Sequence, residues 1–155
     1  MSERFSCGII TGDAEPTTDT LVTIWNPHAS ISIYVLEIWV FAIGLAGDDF
    51  QLYRATGRGL PGSTVTPGIE NHFNRRFAPI SGVVLDAAPY TANNPPIIAG
   101  PALANFRRNI QAGSGFAVQW EGGIEIPGGT GLSLLDAAIF LTPPAASDVL
   151  FVWEE

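Results

Sequence analysis

Residues 31–43 read Ile-Ser-Ile-Tyr-Val-Leu-Glu-Ile-Trp-Val-Phe-Ala-Ile, and this stretch decides the fold class. Its β-branched and aromatic content fits a strand. Side chains alternate across a strand, so Tyr34, Leu36, Ile38, Val40 and Ala42 share one face. Ile31, Ile33, Val35, Glu37, Trp39, Phe41 and Ile43 share the other. Both faces are apolar. One can pack against a second sheet; the other would face water in an isolated two-layer protein, where outward positions are normally polar. It is covered either by the chain's own long loop at residues 57–79 or by another subunit. On the second alternative Ile33, Val35, Glu37, Trp39 and Phe41 form an oligomer face. Glu37, the one charge there, sits at a solvated rim or pairs with an arginine.

Outward from this stretch, period-2 apolar runs alternate with Gly, Pro, Asn and Asp clusters. Strands are expected at residues 5–10, 20–25, 31–43, 50–55, 82–86, 104–111, 116–121, 124–126, 132–140 and 149–154. Asn26-Pro27, Gly47-Asp48-Asp49, Gly122-Gly123, Pro127-Gly128-Gly129 and Pro143-Pro144 supply turns between them. The expectation is all-β: a two-sheet antiparallel sandwich of the jelly-roll type with a long Gly/Pro-rich loop. Residues 1–17 read as an N-terminal arm and first strand, and residues 18–155 as a single jelly-roll domain. Residues 57–79 exceed an ordinary connector, and Leu60, Val65, Ile69, Phe73 and Phe77 make them a projecting or clasping loop rather than a disordered one. Residues 87–101, with four prolines, read as an extended connection.

The 155 residues carry 15 acidic and 7 basic side chains, a formal charge of −8. That balance argues against a nucleic-acid binder, which needs a basic face. Charged residues make up 14% of the chain, against about 25% in an average soluble domain, so much of its surface is expected to be covered. Every cation is an arginine, leaving no lysine for Schiff-base or phosphate-loop chemistry. The first ten residues, with Glu3 and no long apolar run, do not read as a signal peptide. The apolar run at 31–46, broken by Ser32, Glu37 and Gly44, is too short for a membrane span. No membrane or nucleic-acid partner is expected.

No enzyme is expected either. His28 and His72 form no ligand pair, and no metal or other cofactor is called for. Cys7 lies in a strand-like context, where a thiol is buried and inert. Gly57-Arg58-Gly59-Leu60-Pro61-Gly62 matches a dinucleotide-binding spelling, but it precedes no helix and includes proline. The acidic residues show no spacing that selects a glycosidase or calcium site. Trp25, Trp39, Trp120 and Trp153 suit either a core or a sugar platform. Two arginine pairs stand out, Arg75-Arg76 and Arg107-Arg108, either as anchors on an acidic partner or as neutralisers of the chain's own acids.

Three passages together carry a resemblance: Thr20 to Pro27 running into Ser30 to Ile38, the proline-glycine turn within Glu121 to Leu134, and the closing strand Val149 to Glu155. This layout, over residues 18–155, resembles the small jelly-roll virion proteins of tailed bacteriophages, most of all capsid decoration (cement) proteins. It is similar, less specifically, to tail-fibre or receptor-binding knobs that bind glycans. The resemblance implies a non-enzymatic protein on the outer capsid surface, made in the host cytoplasm, with the major capsid protein as partner. It also implies a homo-oligomer, a trimer ahead of a dimer. Arg75, Arg76, Arg107, Arg108, Phe73 and Phe77 are then the candidate capsid or subunit contacts.

Overall fold

A computed structural model of the chain describes residues 3–12, 20–43, 49–66, 82–90, 94–107, 115–136 and 147–155. Ten strands occupy them: β1 (Arg4–Ile10), β2 (Thr20–Asn26), β3 (Ile33–Ala42), β4 (Asp49–Gly57), β5 (Ser63–Val65), β6 (Val84–Ala87), β7 (Ile97–Arg107), β8 (Gly115–Ile126), β9 (Thr130–Asp136) and β10 (Ser147–Glu154). They form a four-stranded sheet, β1-β10-β3-β8, and a six-stranded sheet, β5-β6-β2-β9-β4-β7, antiparallel throughout. The protein is a β-sandwich. With β5 and β6 set aside, first strands pair with last: β1 with β10, β2 with β9, β3 with β8, β4 with β7. Successive pairs fall in alternate sheets, as if one doubled ribbon had been wrapped up.

The core lies between the sheets. From the four-stranded layer come Phe5, Cys7, Ile9, Val149, Phe151 and Trp153; from the six-stranded layer come Ile24, Leu52, Leu85, Leu132 and Leu134. Phe5 stacks on Trp153 at 5.7 Å between ring centroids. At the other edge, Phe106 of β7 stacks on Phe116 of β8 at 5.2 Å, and Phe116 meets Phe50. These rings join the two edge strands, one from each sheet. Cys7 is buried, as its strand context suggested.

β3 departs from strict alternation. Val35 pairs with Trp153 and Glu37 with Val152, so Leu36 is an extra residue relative to β10. Opposite β8, Val35 pairs with Ile124 and Glu37 with Gln119, so the glycine-containing stretch between them bulges as well. A one-residue bulge reverses which side chains face the core. Ile33 and Val35 point inward before it, and Ile38 and Val40 point inward after it, all four 0% exposed. The oligomer face expected from residues 33–41 is therefore corrected: Ile33 and Val35 belong to the core, and only Glu37, Trp39 and Phe41 lie outside.

Three further differences concern strand bounds. The expected strands at 116–121 and 124–126 are one, β8, running through Gly122 and Gly123 at positive φ. The end of the supposed connection at 87–101 is the start of β7, with a bulge near Gly100 and Pro101. Within the 57–79 loop, residues 63–65 form β5 and pair with β6. The described part of this loop therefore lies on the six-stranded sheet, not over β3.

Candidate functional site

The outer surface of the four-stranded sheet is the candidate site. The registers align it in rows: Ser6, Val152, Glu37 and Gln119; Gly8, Leu150, Trp39 and Ala117; Ile10, Asp148, Phe41 and Gly115. In this solvent-facing position Ile10 is 66% exposed, Phe41 41% and Trp39 36%, and Ile43 just past the strand is 51% exposed. The two aromatic rings sit 6.3 Å apart at 40°. The Trp39 Nε1–H donates to Glu37 Oε2 at 2.9 Å, which fixes the indole beside the carboxylate. Phe41 rests over Gly115, where an added Cβ would come within 2.4 Å of its ring. Ala117 and Gly115 on β8 leave the rings open on that side, while Leu150 and Asp148 of β10 flank them on the other.

Acidic groups rim this apolar centre. Asp148, Glu121 and Glu125 are exposed, Glu37 is half-buried, and Glu154 takes the Arg4 guanidinium at 3.3 Å. Arg4 is the one cation among the described outward positions of this sheet.

On the opposite outer surface, the part of the six-stranded sheet over β6, β2 and β9 is closed by the chain itself. Thr64, Asp86, Thr23, Ser133 and Tyr53 form one cross-strand row pointing away from the core. Asp86, Thr23 and Ser133 are nonetheless buried. The segments at 58–62, 88–90 and 94–96 close over them, with the Leu60 N–H donating to the Asn94 carbonyl at 2.8 Å. Arg58 reaches down to Asp86 with Nε to Oδ2 at 2.5 Å and Nη2 to Oδ1 at 2.9 Å, and Thr64 adds its hydroxyl at 2.7 Å. The Asp86 carboxylate beside it holds the Arg58 guanidinium above its usual pKa. The Tyr90 hydroxyl lies 3.2 Å from the Asp86 carbonyl and 3.3 Å from Thr23 Oγ1. Burial pushes its pKa up. This cluster ties the inserted β5–β6 hairpin to the sandwich. Asp86, in the apolar run at 83–88, is the sequence signal for it, since a buried carboxylate demands a partner.

A third feature is a cleft of about 420 Å³ at one end of the sandwich, lined by Arg54, Thr56, Gly100, Glu125 and Thr130 among others. Arg54 donates from Nη1 to the Glu125 carbonyl at 2.7 Å, joining the two sheets there. His28 is a turn residue: its Nδ1 accepts the backbone N–H groups of Ser30 and Ile31, both at 3.0 Å. Among the described residues, no three His, Cys, Asp or Glu side chains converge on a metal position.

Of the residues singled out in the sequence, Trp39, Phe41 and Glu37 come together. Arg107 ends β7, its backbone paired with Asp49. Phe73, Arg75, Arg76, Phe77 and Arg108 lie outside the described residues. Trp153 and Trp25 are buried, and Trp120 packs on the core. Trp39 is the exception that could not be told apart from them by composition. No family model, no curated protein and no solved structure matches the chain.

Proposed function

We propose that the chain is a structural virion protein that decorates the outside of a tailed-bacteriophage capsid and stabilises contacts between major capsid subunits. The observation that carries this reading is the apolar centre on the four-stranded sheet, with Ile10, Leu150, Trp39 and Phe41 where an isolated sandwich places polar groups. Such a surface is stable when an assembly covers it. The wrapped strand order, 1-8-3-6 over 2-7-4-5 once β5 and β6 are set aside, supports the jelly-roll reading that led to this family. The low charged fraction, 14%, fits a protein whose surface is largely occupied by copies of itself and by the shell. The test is to add the purified chain to heads assembled without it. Saturable binding at a fixed copy number, with heads that resist heat better, is expected; absence of binding refutes it.

A second reading has its own observation. An aromatic pair, Trp39 and Phe41, beside the Glu37 carboxylate and the Gln119 amide is also what a glycan-binding tail-fibre module would present. A glycan array with the purified chain separates the two: selective binding to one saccharide class favours the fibre module, and a blank array favours decoration.

A further inference from the structure

We propose that the acidic-rimmed apolar face of the four-stranded sheet receives the Phe73-Asn74-Arg75-Arg76-Phe77 segment of a second copy of the chain, giving a head-to-tail homo-oligomer. This deepens the assembly reading above by naming what covers the face, and it rests on that reading only for the existence of an oligomer.

Charge selects the occupant. The outward positions of β1, β10, β3 and β8 hold Glu37, Glu121, Glu125, Asp148 and Glu154 against Arg4 alone. Two copies meeting face to face about a two-fold axis would bring this rim against itself, because such a contact uses the same patch twice. Like charges so juxtaposed disfavour the pairing. The occupant must therefore bring apolar side chains for the centre and cations for the rim.

The sequence holds one short segment that sets an arginine pair between aromatic side chains and carries almost no acid. Of its seven arginines, the three whose side chains are described are engaged inside the fold: Arg4 with Glu154, Arg58 with Asp86, and Arg54 with the Glu125 carbonyl. The other four form the pairs Arg75-Arg76 and Arg107-Arg108. Arg75-Arg76 is bracketed by Phe73 and Phe77, and residues 67–81 carry Glu70 as their one acid. Arginine and aromatic side chains are the groups that dominate protein contacts energetically. The described chain enters this segment from Thr66, just past β5, and leaves it at Gly82, just before β6, both on the opposite layer of the sandwich. To reach its own four-stranded face the segment would have to wrap round the β1 edge. Between copies, each offers a segment and accepts one, a heterologous contact, which forms a ring where the rotation between copies closes.

The test uses the full chain in analytical ultracentrifugation at about 50 mM and about 500 mM salt, where screening differs several-fold. The natural chain is expected to be an oligomer that weakens at high salt. Arg75→Glu with Arg76→Glu is expected to weaken self-association at least about tenfold, as loss of close interfacial charge pairs does. Glu121→Arg with Asp148→Arg should do the same, and the four changes together should restore most of the loss. Circular dichroism checks that each variant is folded; the substituted acids are exposed. A monomeric natural chain, an unaffected Arg75/Arg76 variant, or a charge swap that restores nothing overturns the proposal. Head binding is measured separately. Charge-swap rescue without head binding sinks the decoration reading and leaves this one standing, and head binding by a monomer does the reverse.

Discussion

Deleting Leu36 tests the packing of β3 directly. The residue is the extra one relative to β10, and with it Val35 and Ile38, three positions apart, both face inward. Without it they stand two positions apart. Plain alternation along Ile33-Tyr34-Val35-Glu37-Ile38-Trp39-Val40 then keeps Ile33, Val35, Ile38 and Val40 inside and Tyr34, Glu37 and Trp39 outside, while Val35 and Glu37 meet the consecutive Trp153 and Val152 with no bulge. The deletion therefore removes one half-buried side chain and leaves the four fully buried ones in place. Its cost should be about 1 kcal/mol, close to that of Leu36→Ala, which keeps the bulge and trims the same side chain. Urea unfolding followed by tryptophan fluorescence measures both. If the deletion instead costs roughly 3–6 kcal/mol, the loss expected for two fully buried aliphatic side chains at about 1.5–3 kcal/mol apiece and a large part of a domain's stability of about 5–15 kcal/mol, Leu36 is not a simple insertion in β3 and the reasoning fails.

Asp86→Ala strips Arg58 and Thr64 of their shared acceptor and should destabilise by about 2–3 kcal/mol, less than the roughly 3–5 kcal/mol for a fully buried ion pair, because Arg58 is more than a third exposed; urea unfolding and faster proteolysis in residues 57–66 report it. Tyr90, held neutral in the fold above its ordinary pKa, makes the native state bind more protons than the unfolded chain once pH exceeds about 10. Stability should therefore fall as pH rises past that point, by up to about 1.4 kcal/mol per pH unit. Tyr90→Phe should cost about 1 kcal/mol at neutral pH and flatten that alkaline decline in urea titrations. Gly131→Ala should cost about 1–3 kcal/mol by calorimetry, because its Cβ would sit 2.8 Å from both the Ile24 carbonyl and the Trp25 ring. Trp39→Ser, at an outward site, should leave unfolding within about 1 kcal/mol of the natural chain while abolishing oligomer and head binding.

The all-β class was legible because alternation and turn residues report local geometry, and both survive without tertiary information. What failed was the step from alternation to facing along β3. Period-2 counting assumes no insertion, so a strand with a bulge shows core residues on both parities and passes for doubly apolar. Ile33 and Val35 looked like surface for that reason. Part of the double-sided character is nevertheless real, since Trp39 and Phe41 face out beyond the bulge. The Arg58–Asp86 tie was half legible: a carboxylate in an apolar strand announces that a partner exists, but a partner 28 residues away in a loop is fixed only by tertiary placement. β5 was missed because three residues are too few to show a period.

Charge and apolarity on the four-stranded sheet are best understood as parts of one device. An apolar sheet face with neutral surroundings would associate with any similar surface, its own included. The acids around Trp39 and Phe41 penalise that pairing while leaving the apolar contact available to a partner that brings cations, which is how specificity is obtained by repulsion as well as attraction. Arg4 answers Glu154 alone, and the arginines at 54 and 58 are engaged elsewhere, with the Glu125 carbonyl and with Asp86, so Glu37, Glu121, Glu125 and Asp148 keep the rim acidic. The rim, with five acids against Arg4, carries half of the −8 net charge, and on the proposed assembly the basic groups that answer it come from another surface.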